Sequence, residues 1–276
     1  MPTLYIVATP IGNLEDITLR ALRVLAEVEL IVAEDTRVTR KLLSRHGIRT
    51  RLTSYGEHNK TSKLPSLLRE LAERDLALVS DAGMPGINDP GQELVSAALK
   101  AGFDVVPVPG PSALTTAIAV SGLPVDQFIY LGFLPRRRVE RVSLLEGLSG
   151  QPRALVVLET PHRLKASLED ALAALGDRRV AVCRELTKLY EEVFRGSISG
   201  ALAYFERPRG EYTLVFEGAE ARDEAGARGE ARALVAQMRE EGVSARDAVA
   251  RVMALTGLTR REAYAMWLEA QPSDAG

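Results

Sequence analysis

The chain is short of the residues that carry redox and metal chemistry. Its 276 residues include one cysteine, Cys183, and three histidines, His46, His58 and His162. A single cysteine forms no internal disulfide, and its place in the apolar run Val180 to Cys183 makes it a buried strand residue in preference to a nucleophile. The histidines are scattered without metal-ligand spacing, so no metal site is expected. Long apolar runs are missing as well. Nothing in the sequence spans a bilayer, and the N-terminus lacks the basic segment and apolar stretch of a secretory signal, which points to a cytoplasmic protein. There is no excess of one charge: 35 basic residues face 37 acidic ones, for a net charge of −2. Nucleic-acid binding must then rest on local arginine clusters, not on the chain as a whole. Neither the glycine-rich dinucleotide fingerprint nor the phosphate loop ending in lysine occurs. No internal repeat or extended low-complexity segment is present.

What is there alternates between short apolar runs and helical patterns. The stretch LALVSDAGMPGINDPG, Leu76 to Gly91, begins as a buried strand and continues as a long turn rich in Gly and Pro, ahead of a helix from Gln92 to Lys100. In an open α/β sheet, ligands sit beyond the carboxyl ends of strands, so such a loop marks a binding site. Asp81 and Asp89 make this loop acidic, which disfavours a phosphate and favours a ligand with a nucleoside part and a cationic centre. The alternative is a turn whose Gly and Pro serve geometry alone.

Further strands are predicted at Leu4 to Ala8, Val28 to Ala33, Arg51 to Ser54 and Val105 to Val108. Between them, Thr18 opens a helix, and Leu64, Leu67, Leu68 and Leu71 form an amphipathic stripe. Alternating strands and helices imply a parallel, doubly wound sheet for residues 1–121. Gly122 and Pro124 in Ser121 to Asp126 read as a linker. Residues 122–222 then carry strands at Phe128 to Phe133, Ala154 to Leu158, Val180 to Cys183, Glu192 to Phe194 and Tyr212 to Phe216. The last two of these are close enough for antiparallel pairing, so a mixed sheet is expected. From Glu220 a polar linker leads to a helical extension, residues 223–276, with helices near Glu230 to Glu241, Ser244 to Leu255 and Thr259 to Ala270. Ser244 and Thr259 suit N-caps.

Seven motifs occur in order: TPIGNLEDIT (Thr9 to Thr18), AEDTR (Ala33 to Arg37), SDAGMPGINDPG (Ser80 to Gly91), PGPSA (Pro109 to Ala113), FLPRR (Phe133 to Arg137), ETPHR (Glu159 to Arg163) and RELTK (Arg184 to Lys188). Together, over nearly the whole chain, they resemble the tetrapyrrole methylase family, and in it the branch of ribosomal RNA cytidine 2′-O-ribose methyltransferases. That resemblance implies two α/β domains of the tetrapyrrole methylase type, a homodimer, and S-adenosyl-L-methionine bound between the domains. It also implies methylation of a decoding-centre cytidine in 16S rRNA. By similarity, cofactor contacts fall at Pro10, Asp81, Gly83, Met84, Pro85, Ile87, Ser112 and Ala113, with Glu159, Leu186 and Thr213 in the second domain. Thr160 stands where the family often has serine, which keeps the hydroxyl. Pro10 and Ser112 also suit turn geometry and helix capping.

Methyl transfer to a ribose hydroxyl expels a neutral thioether, so the leaving group needs no acid and no metal, while the hydroxyl needs positioning and a base. Glu34, Asp35, Glu159, Glu185 and Lys188 are candidates at strand ends. Of these, Glu185, Lys188 and Asp35 are expected to carry the chemistry, a lysine doing so only if a dry site or nearby cations lower its pKa. An ion pair between Glu185 and Lys188 is the competing expectation. Arg163 and Arg184 are expected to hold phosphate. RNA affinity is expected from Arg136, Arg137 and Arg138, with Arg141 one helical step on, and from Arg260 and Arg261. Tyr264 and Trp267 share a helical face and read as core. Competing functions are a precorrin-type tetrapyrrole C-methyltransferase and a non-catalytic rRNA-binding module.

Overall fold

The computed structural model describes residues 2–219, 224–256 and 258–270. The chain divides into two compact units, Met1–Gly218 and Ala219–Gly276. The polar linker expected from Glu220 lies outside the described residues.

The first half of the larger unit runs β1 (Thr3–Val7), α1 (Leu19–Glu27), β2 (Leu30–Ala33), α2 (Thr36–Arg45), β3 (Arg51–Ser54), α3 (Lys60–Glu73), β4 (Leu76–Val79), α4 (Gln92–Lys100), β5 (Asp104–Val108) and α5 (Ala113–Ser121). Its sheet is parallel throughout, in the order β3-β2-β4-β1-β5. Both faces are covered, which is why β2 and β4 are buried at every position and lack polar alternation. Leu4, Ile6, Val32 and Leu78 pack on one side with α3 and α4, and Val7, Ile31, Ala77 and Val79 on the other with α1 and α2. Thr18 caps α1 by accepting the Ala21 N–H at 3.0 Å.

The second half runs β6 (Phe128–Phe133), α6 (Arg138–Gly147), β7 (Ala154–Glu159), α7 (Pro161–Leu175), β8 (Arg179–Arg184), β9 (Glu192–Ser197), α8 (Ile198–Tyr204) and β10 (Tyr212–Phe216). The sheet is mixed, in the order β6-β7-β10-β8-β9, with only β6 and β7 parallel. The expected pairing of the last two strands is corrected here. β9 forms a hairpin with β8, while β10 enters between β7 and β8. Burial explains the choice: all five residues of β10 are buried, as a central strand requires, while β9 is only partly covered. The short helix α8, capped by Ser197, was not expected.

Helix α5 follows the first sheet in sequence but packs on the second. Ala113, Leu114, Ala117 and Ile118 join Val156, Ala181, Cys183 and Val215 in one apolar cluster. The smaller unit contains α9 (Glu224–Glu240), α10 (Ala245–Thr256) and α11 (Arg260–Glu269), packed around Ala231, Val235, Val252, Ala263 and Met266. Thr259 begins α11 with a capping box to Glu262, and the Ser244 hydroxyl accepts the Asp247 N–H. Trp267 packs against this core beneath the Arg239 guanidinium, 4.4 Å from the ring centroid, whereas Tyr264 stands half-exposed. No helix among the described residues is long and apolar enough to cross a membrane.

Candidate active site

The carboxyl ends of β1, β2, β4 and β5 open on a cleft of about 330 Å³ whose opposite wall comes from β6, β7, β8 and β10. That volume suits a drug-sized ligand. Thr9 and Gly83 exchange backbone hydrogen bonds of 2.9 and 3.0 Å, and the Thr9 hydroxyl donates to the Ser80 carbonyl at 3.0 Å. These bonds tie the TPIGNLEDIT and SDAGMPGINDPG loops into one floor. Gly83 has φ +81, a conformation that side chains disfavour, so glycine is required where the floor turns.

Two contacts join this floor to the second sheet. At Gly12, a Cβ would lie 2.4 Å from Lys188 Cγ and 3.0 Å from the Leu186 carbonyl oxygen, so the loop meets RELTK with no room for a side chain. The Thr187 hydroxyl there accepts the Asn13 N–H at 3.0 Å. Thr187 has φ +66 and Glu185 φ +50. Each such residue stores about 1–3 kcal/mol, and strain of this kind concentrates at functional sites. On the other side, the Asn88 amide donates to the Tyr130 hydroxyl and lies over Gly132, whose φ is +63.

Nine of the residues expected to hold a cofactor line the cleft: Asp81, Gly83, Met84, Ile87, Ser112, Ala113, Glu159, Leu186 and Thr213. Pro10 and Pro85 are buried in its loops and are not part of its wall. The three residues expected to carry chemistry also lie outside the wall. Asp35 is the N-cap of α2 and forms an ion pair with Arg37 at 2.6 Å; the hydrogen bonds from Arg37 hold its carboxyl at about 2. Its neighbour Glu34 faces the cleft instead. Lys188 Nζ lies 3.0 Å from Glu185 and 2.7 Å from Glu211, the latter a cleft residue not anticipated from sequence. Burial pulls the ammonium pKa down, but the two carboxylates outweigh it and leave the group raised, so it stays protonated. Glu185 is shifted down: its own burial opposes the change, and the Glu211 N–H and Lys188 outweigh it.

The cleft is acidic. Glu34 accepts the Asp81 N–H at 3.2 Å and Asp81 accepts the Asp35 N–H at 3.0 Å. Burial raises the pKa of Glu34 and of Asp81, and neighbouring carboxylates add to both shifts. Asp89 is pushed up to about 6, by burial first and then by Glu34 and Asp81. Deeper in, the wall is apolar, with Ile11, Leu114, Leu158, Leu186 and Cys183; burial lifts the Cys183 thiol to about 11, so it is no nucleophile near neutrality. Glu159 is buried and internally satisfied by Ser167 at 2.6 Å and the Thr160 N–H at 2.8 Å.

The expected RNA contacts fall into two sets. Arg136 and Arg137 are exposed just beyond Phe133, which lines the cleft, and Arg137 makes only a surface ion pair, 3.2 Å from Glu140. Arg260 and Arg261 are exposed at the start of α11 in the smaller unit. Others have partners within the chain. Arg163 donates to the Leu134 and Pro135 carbonyls at 2.6 and 3.2 Å, Arg184 to the Arg209 carbonyl and Glu192, and Arg138 to Asp170. Arg141 is buried, with bonds of 2.8 and 2.5 Å to Asp170. Among the described residues no group of three or more His, Cys, Asp or Glu is arranged to hold a metal ion.

Two α/β lobes closing on an acidic cleft without phosphate-binding loops describe a methylase class, and the family model for Tetrapyrrole (Corrin/Porphyrin) Methylases matches residues 3–201. The solved uroporphyrin-III-C-methyltransferase of Thermus thermophilus has the same fold, with a TM-score of 0.56 and 22% identity over 79% of this chain and 94% of that one. Closer in sequence are proteins named Ribosomal RNA small subunit methyltransferase I. The one from Halalkalibacterium halodurans is 51% identical, over 78% of this chain and 76% of its own length. That from Thermotoga maritima is 50% identical, over 80% of this chain and all of its own length, and that from Synechocystis is 45% identical over 98% of both. The chain belongs to the tetrapyrrole methylase family, alongside these ribosomal RNA small subunit methyltransferases I.

The cofactor of this family is S-adenosyl-L-methionine, and the cleft fits it. Its carboxylates favour a net positive ligand, and its apolar depth suits an adenine. Ser112 makes no side-chain cap on α5, whose first residues face the cleft, so first-turn N–H groups are open to a ligand carboxylate.

Proposed function

We propose that this protein transfers a methyl group to a ribose 2′-hydroxyl of small-subunit rRNA, at a decoding-centre cytidine, and does so as a cytoplasmic homodimer. The observation that carries the proposal is the meeting, at one cleft, of an acidic donor pocket and the exposed arginines that follow Phe133, in a chain 45–51% identical to proteins named for that RNA. When bound, S-adenosylmethionine supplies an electrophilic methyl group and a neutral thioether leaving group. The chain must orient the hydroxyl and take its proton. Asp89 is the best acceptor, since it lines the cleft and holds its proton up to about pH 6. Glu185, Lys188 and Glu211 shape the acceptor side through their ion pairs, while Asp35 secures the loop that presents Glu34. Arg136, Arg137, Arg260 and Arg261 neutralise phosphate; Arg163, Arg184 and Arg138 brace the surfaces that carry them.

The test is transfer of labelled methyl to small-subunit rRNA, to assembled subunits and to a precorrin-type substrate, with ribose methylation mapped in cells with and without the gene. Label on an rRNA ribose, lost with the gene, is expected. Transfer to the precorrin alone, or donor binding with no transfer, would replace this function by a tetrapyrrole or a non-catalytic one.

A further inference from the structure

Three aromatic side chains line the cleft, and only one has an open ring. Tyr212 is 2% exposed within the core, and the Tyr130 hydroxyl is held by Asn88. Phe133, the last residue of β6, is 49% exposed. An open phenylalanine is common on protein surfaces, so exposure alone decides nothing. The frame behind it does more. Three successive carbonyls after Phe133 are held by two arginines: Leu134 and Pro135 by Arg163, and Pro135 and Arg136 by Arg141. Asp170 fixes Arg141, and Glu159, whose side chain is fully buried, lies 3.4 Å from Arg163. Leu134 is itself 2% exposed in the second core. The backbone is thus set on both sides of an uncovered ring, and Arg136 and Arg137 project immediately beyond it.

We infer that Phe133 is the platform on which the nucleobase of the acceptor nucleotide stacks, a role that rests on the RNA reading above and names how that substrate is held. A pre-set aromatic face beside exposed guanidinium groups, that of Arg137 paired only with the surface carboxylate of Glu140, is the arrangement that single-stranded nucleic acids recognise: the ring takes a base while the arginines take phosphate. Stacking tolerates any base, so Phe133 supplies position and affinity and leaves base identity to polar groups.

The test compares full-length Phe133→Ala, Phe133→Leu, Phe133→Tyr and Phe133→Trp with wild type, measuring KM and kcat for small-subunit rRNA and, by calorimetry, donor affinity. Losing one stacked base predicts a rise in KM of roughly ten-fold to a hundred-fold in the Ala variant. The Leu variant should behave like Ala, Tyr and Trp should restore wild-type KM, and donor affinity should stay within about two-fold. A Leu variant with wild-type KM would overturn the inference, because apolar packing alone would then suffice. A matching loss of donor affinity would also overturn it, by assigning the ring to the donor. If wild type transfers no methyl to rRNA, the RNA function falls and this role with it; if wild type is active and Phe133→Ala keeps its KM, this role falls alone.

Discussion

Replacing Asp170 by alanine should be among the most damaging single changes in the larger unit. Its carboxylate accepts three hydrogen bonds, from Arg138 Nε at 2.9 Å and from Arg141 Nε and Nη2 at 2.8 and 2.5 Å. The Arg141 side chain is 7% exposed and that of Asp170 is 3% exposed, so neither reaches enough water to compensate for a lost partner. After the substitution Arg141 keeps only two longer bonds, to carbonyls at 3.2 and 3.3 Å, and two of its donors are stranded. At about 1–3 kcal/mol for each unsatisfied donor the cost comes to about 3–5 kcal/mol, which is also the range for breaking one side of a buried ion pair. Arg141→Met should cost less, about 1–2 kcal/mol, because the stem still packs and Arg138 remains to neutralise Asp170. Replacing both, as Arg141→Met with Asp170→Leu, should return to within about 1 kcal/mol of wild type. Urea unfolding of the full-length variants measures all three. A loss under about 1 kcal/mol in Asp170→Ala, or a larger loss in Arg141→Met, would refute the reasoning.

The assignment of Asp89 predicts that kcat rises with pH through about 6 and that Asp89→Asn loses this limb along with roughly a hundred-fold or more of turnover. The stability sign runs the other way: a carboxyl that binds its proton more tightly when folded contributes stability below about pH 4 that is lost as pH rises through about 6, so Asp89→Asn should unfold no earlier than wild type at pH 7. Gly12→Ala drives a methyl into Lys188 and the Leu186 carbonyl, and overpacking of this kind costs about 1–3 kcal/mol. Donor affinity by calorimetry should fall about ten-fold with it, and unchanged affinity would show that the two loops part freely. Deleting Asp223 to Gly276 should weaken RNA methylation, measured with labelled donor, and spare donor binding, since the cleft lining lies entirely within the larger unit. A truncated chain that no longer binds donor would make the helical unit part of the pocket.

The elements legible in the sequence were those whose local signal agrees with their burial. β4, β6, β10 and α4 have the bounds that their apolar runs and flanking Gly, Pro or Asp imply, and β3, with the weaker pattern RLTS, also forms where it was placed. The place of β10 in its sheet was not legible, because lateral order depends on partners far away in sequence. The site missed in two instructive ways. Among the residues expected to carry chemistry, Asp35 and Glu185 lie off the cleft while their neighbours Glu34 and Leu186, the latter an expected cofactor contact, line it: neighbouring side chains at a strand end point in different directions, so an error of one position turns a residue away. Phe133 and Asn88 stand inside the FLPRR and SDAGMPGINDPG motifs but were not singled out as cleft residues, and Tyr130 belongs to none of the motifs. The bulge between Tyr130 and Gly132 alters which β6 side chains face the cleft, and its one sign in FIYLGF is the lone Gly132, whose φ is +63.

The late arrival of β10 has a consequence for synthesis. A nascent chain that has released everything up to Gly210 already carries both outer parts of the second sheet, yet β7 and β8 have no neighbour to share and Thr213 is missing from the wall. A complete donor cleft should therefore require synthesis through Phe216: products that terminate before that strand lack part of its wall.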